Sequence, residues 1–173
     1  NFSKNWHYLL IDFKYGTIHL KNDLLICNKN NIVINKAMNI LITSATSELG
    51  QELAAALRGE HEIRLTDSIT IDTDLEFTVS DLGHCESTNY LVREMDAIIH
   101  LATPPANSVA SDHIDHHTRC TYNLLMAAAE ENVPRLIYAS TLDLLEAYAP
   151  NLTVTERWRP RPSPKPPILA RHL

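Results

Sequence analysis

From residue 39 onward, short apolar runs alternate with stretches of helical periodicity. Five runs rich in β-branched residues predict strands, namely 39–43 (NILIT), 61–67 (HEIRLTD), 75–82 (LEFTVSDL), 96–103 (DAIIHLAT) and 135–141 (RLIYAST). Between them, helices are predicted over 51–59, through Tyr90 and Arg93, and over 108–132, where Pro134 ends the pattern. Strands that alternate with helices at this spacing predict βαβ units, and therefore an α/β fold with a doubly wound parallel sheet.

The first 37 residues differ in composition from the rest. They hold seven Asn and five Lys but no Arg, Glu or Pro, whereas from Met38, the first methionine, Arg outnumbers Lys nine to one. We therefore expect 1–37 to be an extension outside the domain, read through from upstream of a start at Met38, and 38–173 to be a partial domain. The alternative is a genuine extension with an edge hairpin around YGTIHL (15–20). At the other end, ILARHL begins a predicted helix that has no stop signal.

Composition narrows the class of protein. A chain of 173 residues with 45% apolar and 21% charged residues is typical of one globular domain. A net charge of −6 argues against a nucleic-acid partner, which requires a basic face. The three cysteines are too few and too widely spaced for a disulfide framework or a CxxC metal site. No apolar run approaches the ~20 residues of a membrane span, so we expect a cytoplasmic protein without a membrane partner.

The turn after the first strand of this pattern carries the clearest motif. In a doubly wound sheet, a pyrophosphate binds at the N-terminus of the first helix, beyond the carboxyl ends of the strands. The segment TSATSELG (43–50) stands at that place and resembles the TGATGxxG loop of the extended short-chain dehydrogenase/reductase family, the NAD-dependent epimerase/dehydratases. The resemblance assigns the cofactor turn to Thr43, Ser44, Thr46, Ser47, Glu48, Leu49 and Gly50.

The turn also departs from the family pattern. Ser44 and Ser47 replace two glycines, and only Gly50 remains. Since serine enters such a turn with some strain, we expect a usable but weakened dinucleotide site. The alternative is that SATSEL is simply a hydroxyl-rich N-cap on a structural helix.

Five further motifs follow in the family's order and extend the resemblance to about residue 164. Asp67 ends the second strand, where the family places an acid on the adenosine ribose. The pair Asp81–Leu82 resembles the one that touches adenine, and DAIIHLAT is similar to the strand whose final residues line the cofactor, here Leu101, Ala102 and Thr103. TYNLLMAAAEENVPRLIYAST and RWRPRPSP resemble the two later motifs. The resemblance implies a Rossmann-type NAD(P)-binding fold.

The acid at Asp67 also predicts which dinucleotide binds. A carboxylate accepts hydrogen bonds from a ribose diol and repels a 2′-phosphate. No Arg follows in SITIDTD (68–74), so NAD is favoured over NADP. The alternative is an ordinary acid in a strand-to-loop turn.

The catalytic residues of the family are only partly present. The resemblance places the family's Ser/Thr at Thr141, although this residue could simply end a strand. The Tyr-x-x-x-Lys pair should follow Pro162, but SPKPPILARHL holds no Tyr, and no tyrosine of the chain has Lys four residues later. A longer insertion would place the pair beyond Leu173. His117 stands where the family usually has Asn.

Two functional hypotheses follow. The first is an NAD-dependent epimerase/dehydratase that acts on a nucleotide-sugar or related small-molecule substrate, and the second is a catalytically inactive NAD-binding sensor or scaffold. By resemblance, a homodimer could also form through the long helix at 108–132 and a helix beyond Pro167. His113 and His117 have metal-ligand spacing within SDHIDHH (111–117), but two histidines make a weak site, and no metal is expected.

Overall fold

Six parallel strands form one sheet in the computed structural model, which describes residues 7–10, 37–105, 107–149, 151–153, 155 and 157–172. The strands are β1 (His7–Leu10), β2 (Asn39–Thr43), β3 (Glu62–Asp67), β4 (Glu76–Val79), β5 (Ala97–His100) and β6 (Leu136–Ser140). Their order across the sheet is β1-β6-β5-β2-β3-β4, and every neighbouring pair is parallel. The predicted α/β fold with a doubly wound parallel sheet is therefore confirmed.

Five α-helices connect or follow these strands: α1 (Glu48–Leu57), α2 (Glu86–Val92), α3 (Ala110–Asp115), α4 (Thr121–Glu130) and α5 (Pro166–His172). A π turn over His116–Cys120 joins α3 to α4, so the predicted long helix is one rod with a widened turn in its middle. A 3-10 turn over Leu142–Leu145 follows β6.

The strand order creates a switch point between β2 and β5. From β2 the chain builds outward through β3 to β4, and it then returns to the other side of β2 to build β5 and β6. The connections on the two sides of β2 therefore diverge, which opens a crevice at the carboxyl ends of β2 and β5. Ligands of doubly wound folds bind in such a crevice.

Two apolar cores hold the sheet, one on each face. Ile40 and Ile42 pack with Leu49 and Leu53 of α1 on one face. On the other face, Leu41 of β2 and Ile98 of β5 pack with Leu91 of α2 and Leu124 of α4. Since both faces are covered, the central strands β2 and β5 are nearly continuous apolar runs, whereas β3 and β4 carry charged residues.

Several element boundaries differ from the predicted ones. The helix predicted over 51–59 begins at Glu48, because the Ser47 side chain caps it. The strands predicted over 75–82 and 96–103 end at Val79 and His100, because the chain turns away through left-handed residues (Leu82, φ 52°, and Ala102, φ 49°).

Part of the N-terminal segment joins the sheet, because His7–Leu10 pairs with β6 at the edge. The hairpin considered around 15–20 lies outside the described residues. A domain boundary at Met38 and read-through of 1–37 stay predictions.

Candidate functional site

The turns that follow β2 and β5 are tied together across the crevice. The N–H of Leu101 donates to the Thr43 hydroxyl at 3.2 Å, and the N–H of Thr103 donates to the Ser44 hydroxyl at 3.0 Å. These bonds join residues almost 60 positions apart in sequence. The structure thus brings the two predicted cofactor-lining segments, 43–50 and 101–103, into direct contact.

Both turns depend on left-handed backbone. Ser44 has φ 51° and Ala102 has φ 49°, a region that residues with a Cβ enter at a cost of roughly 1 kcal/mol each. Ser44 stands where the family has glycine, so the strain expected from the sequence is present at this position. Ser47, at the second glycine position, has φ −68° and needs no glycine.

The Ser47 side chain caps α1. Its hydroxyl donates to the Ser44 carbonyl at 2.7 Å and accepts from the N–H of Gly50 at 3.1 Å. The capping role considered as an alternative is therefore present. Among the described residues, the N–H groups of Glu48 and Leu49 have no hydrogen-bond partner. They are the donors that a helix N-terminus offers to an anion.

Asp67 is held by hydroxyl and amide donors from two sides. Its Oδ2 accepts from the N–H and the hydroxyl of Thr46, at 3.0 and 2.6 Å, and its Oδ1 accepts from the N–H and the hydroxyl of Ser68, at 2.7 and 3.3 Å. A carboxylate has about four acceptor positions, so these four donors saturate it. The side chain is only 5% exposed. A ribose hydroxyl would reach Asp67 only by replacing one of the two protein hydroxyls.

The pair Asp81–Leu82 forms a turn at the end of the same sheet edge. Leu82 has φ 52°, and its carbonyl accepts from the side-chain amide of Asn123 at 2.9 Å. The thiol of Cys120 contacts the Asp81 carbonyl at 3.2 Å. The long helix therefore fixes this turn, while the Asp81 side chain remains exposed.

A buried histidine links the crevice to the long helix. His100 is fully buried, with Nδ1 2.8 Å from the Thr43 hydroxyl and Nε2 2.9 Å from the Thr121 hydroxyl. Burial lowers the pKa of His100 to about 3, so the ring is neutral at pH 7. The sequence gave no signal for Thr121 as the partner of this histidine.

Of the catalytic residues inferred by resemblance, the threonine is in place, but the helix after the proline-rich segment contains no tyrosine. Thr141 is half-buried at the end of β6, and its hydroxyl accepts from the N–H of Asp143 at 3.3 Å, where it caps the 3-10 turn. The helix after the proline-rich segment is α5, which has no tyrosine and buries Ile168 and Ala170. It packs against α3 and the π turn, and its Arg171 lies close enough to His117 to lower the pKa of that ring.

The two histidines with metal-ligand spacing stack rather than converge. The rings of His113 and His117 lie 6.5 Å apart at 22°. Among the described residues, no group of three or more His, Cys, Asp and Glu side chains is arranged to hold a metal ion. The described part of the chain also contains no helix that is long and apolar enough to cross a membrane.

The turn after β2 fits a dinucleotide in two respects. The unpaired N–H groups of Glu48 and Leu49 can receive a pyrophosphate, and Gly50 lets α1 approach the strand, because a Cβ there would lie 2.7 Å from the Ser44 carbonyl oxygen. The third feature, the acid at Asp67, is in place but already bonded.

Comparison with known proteins identifies a family for most of the chain. The model of the family described as "NAD dependent epimerase/dehydratase family" matches residues 40–164. No curated protein matches the sequence.

Among solved structures, a mutated uronate dehydrogenase is similar with a TM-score of 0.70 at 23% identity, over 79% of this chain and 51% of that one. The UDP-N-acetylglucosamine 4-epimerase of Bacillus cereus is similar with a TM-score of 0.63 at 27% identity, over 79% of this chain and 48% of that one. A variant of the uronate dehydrogenase from Agrobacterium tumefaciens, complexed with NAD, gives a TM-score of 0.55 at 27% identity, over 61% and 41%. The chain thus spans about half the length of these proteins.

Proposed function

Because the chain belongs to the NAD-dependent epimerase/dehydratase family, we propose that it binds NAD at the turn after β2, as part of an enzyme that acts on a nucleotide sugar or a related substrate. The expectation of NAD as the cofactor agrees with the family and with a neighbour solved with NAD. The observation that carries the proposal is the joined pair of turns at the switch point, where Ser44 and Thr103 meet. NAD, when bound, supplies a hydride acceptor.

The residues of the crevice would divide the binding between them. The N–H groups of Glu48 and Leu49 would bind the pyrophosphate, and Asp67 would bind the adenosine ribose after exchange with the Thr46 hydroxyl. The remaining positions proposed to line the cofactor are Thr43, Ser44, Ser47, Gly50, Asp81, Leu82, Leu101, Ala102 and Thr103. Thr141 is the proposed contact with the reacting end of the substrate.

The substrate class is supported by one neighbour above 25% identity, the UDP-N-acetylglucosamine 4-epimerase. Turnover is tested by incubating the 173-residue chain with NAD and UDP-N-acetylglucosamine, and by following NADH absorbance together with chromatography of the sugar product. Formation of an epimer or an oxidised sugar, lost in Thr141→Val, is expected for the enzyme.

Binding of NAD is tested by calorimetric titration. We expect a dissociation constant in the micromolar range, about −8 kcal/mol, and weaker binding of NADP. Asp67→Asn should weaken NAD binding and reduce the preference over NADP, because it removes the negative charge. Asp72→Asn removes the same charge from an exposed loop position and serves as the control. No detectable binding of NAD to the wild type would overturn the proposal.

A second function is favoured by the composition of α5. Its seven residues, PPILARH, contain no tyrosine and bury apolar side chains at Ile168 and Ala170. If the chain is a catalytically inactive NAD sensor or scaffold, it should bind NAD and show no turnover. The binding and turnover experiments together separate the two functions.

A homodimer through the long helix is also proposed. Ile114, Tyr122 and Met126 lie at intervals of eight and four residues along the rod and are 42%, 61% and 40% exposed. These positions share one side of a helix. Light scattering of the wild type and of Tyr122→Glu would test the association.

A cytoplasmic location remains a prediction from composition.

A further inference from the structure

A cluster of polar side chains lies between the long helix, the sheet and α5. It consists of His113, His117, Tyr138 and Arg171, and is called here the histidine layer. α5 packs against α3 and the π turn, and the Tyr138 hydroxyl lies 3.4 Å from Nδ1 of His117. Tyr138 is in register with His100, the last residue of β5. The histidine layer therefore lies at the carboxyl-end edge of the sheet.

Two ring nitrogens of the histidine layer have no partner among the described residues. Nδ1 of His113 and Nε2 of His117 are buried, and neither forms a hydrogen bond with a described residue. His117 is only 6% exposed. Buried polar groups in folded proteins are almost always hydrogen-bonded. Two unpaired nitrogens on neighbouring rings therefore indicate a ligand that supplies the missing partner.

The neighbours of His117 place its proton. Burial, together with the nearby Arg171 charge, lowers the pKa of His117 to about 3, so the ring is neutral at pH 7. Burial raises the pKa of Tyr138, so the phenol keeps its proton, and Nδ1 of His117 is its hydrogen-bond partner among the described residues. In the tautomer in which Nδ1 accepts from the phenol, the single ring proton is on Nε2. In that tautomer the unpaired atom of His117 is a donor that needs an acceptor.

Arg171 also favours a negatively charged ligand in the histidine layer. It lies in the last turn of α5, is half-buried, and takes part in none of the ion pairs between described residues. A guanidinium donates in a planar fork that matches carboxylate and phosphate oxygens. Its charge disfavours a cation, in agreement with the lack of a metal-binding arrangement in the described part of the chain.

We propose that the histidine layer binds an anionic group, a carboxylate or a phosphate, through the guanidinium of Arg171 and the Nε2 proton of His117. The assignment of this group to the substrate rests on the proposed function, because the histidine layer lies at the edge of the sheet where the substrate is expected. The substrate would then carry its own negative charge on the sugar or on an attached phosphate.

The test is a titration of the 173-residue chain without NAD, in which NMR monitors the imidazole ¹⁵N–¹H resonances. The probes are inorganic phosphate, D-glucuronate and D-glucose at constant ionic strength. Glucuronate and glucose differ by one carboxylate, and the phosphate and glucuronate arms distinguish the two anionic groups. We expect a saturable shift of the His117 Nε2 resonance with phosphate or glucuronate and none with glucose.

The variant Arg171→Gln should weaken that binding about tenfold or more, since it removes a charge-assisted donor. Arg58→Gln removes the same charge from an exposed position at the end of α1 and should leave it unchanged. If Arg171→Gln does not fold, Arg171→Lys must still weaken binding, because the planar fork is lost.

Several results would overturn the proposal. They are a wild-type response to neither anion, an equal response to glucose, unchanged affinity in the folded Arg171 variant, or a response to Zn²⁺ alone. A separate NAD titration of the same sample distinguishes this failure from that of the proposed function, since the anion response requires no NAD.

Discussion

Gly50 lies where α1 meets the turn after β2, and its replacement by alanine tests how closely helix and turn are packed. A Cβ at this position would lie 2.7 Å from the carbonyl oxygen of Ser44 and 2.9 Å from Cα of Ala45. Both atoms belong to the backbone, so no side-chain rotation relieves the overlap. α1 must therefore move away from the strand in Gly50→Ala.

The expected loss of stability follows from two opposing effects. Overpacking of this kind costs about 1–3 kcal/mol, and an overlap with backbone places Gly50→Ala at the upper end. The higher helix propensity of alanine offsets about 1 kcal/mol. The free energy of unfolding should fall by about 2 kcal/mol, and the melting temperature by about 4–8 °C. The displaced turn should also weaken NAD binding about tenfold or more.

The assay is urea unfolding followed by circular dichroism, together with calorimetric titration of NAD. Gly59→Ala is the matched control, because no atom lies within 4 Å of a Cβ at Gly59. This control should be neutral or more stable by up to about 1 kcal/mol. If Gly50→Ala is as stable as Gly59→Ala and binds NAD as well as the wild type, the close approach of helix and turn is refuted.

Three further predictions concern single groups. The pKa of His100 is about 3 in the folded protein, below its ordinary value, so the unfolded chain takes up the proton first. The free energy of unfolding should therefore fall as pH decreases from about 6.5 towards 3, by ~1.4 kcal/mol per pH unit. Urea unfolding at several pH values should show a shallower pH dependence in His100→Asn and the wild-type dependence in the exposed His84→Gln. Hydrogen bonds lower the pKa of the exposed Cys85 thiol and burial raises that of Cys120 to about 11, so iodoacetamide should label Cys85 first, and equal labelling in peptide mass spectrometry would contradict this. Thr46→Val removes a hydroxyl that competes with the ribose for Asp67. Calorimetry should therefore show tighter NAD binding, by about fivefold, and thermal unfolding should show that the variant without NAD is less stable than the wild type. Weaker NAD binding would show that Thr46 assists the cofactor.

Local sequence pattern was sufficient for the fold. The run NILIT and its counterparts predicted the five strands β2 to β6, because short runs rich in apolar and β-branched residues are typical of strands. Alternation with helices then predicted the parallel, doubly wound arrangement, which is confirmed. The ends of strands were less predictable. After His100 the chain leaves the sheet through a left-handed Ala102, and nothing in the letters HLAT indicates that conformation.

The chemistry of the site depended on the motif and on tertiary contacts in different degrees. The sequence by itself offered a hydroxyl-rich N-cap in SATSEL as the alternative to a cofactor turn, and placed Asp67 at the end of a strand, because both are local features of a βα unit. Only the folded chain showed that four donors saturate Asp67, that Ser44 bonds to Thr103, and that His117 is left with an unpaired nitrogen. Apart from the Ser68 donors, these features involve residues from separate elements. Periodicity determines which residues form an element, whereas packing determines which polar atoms of different elements meet and which remain unpaired.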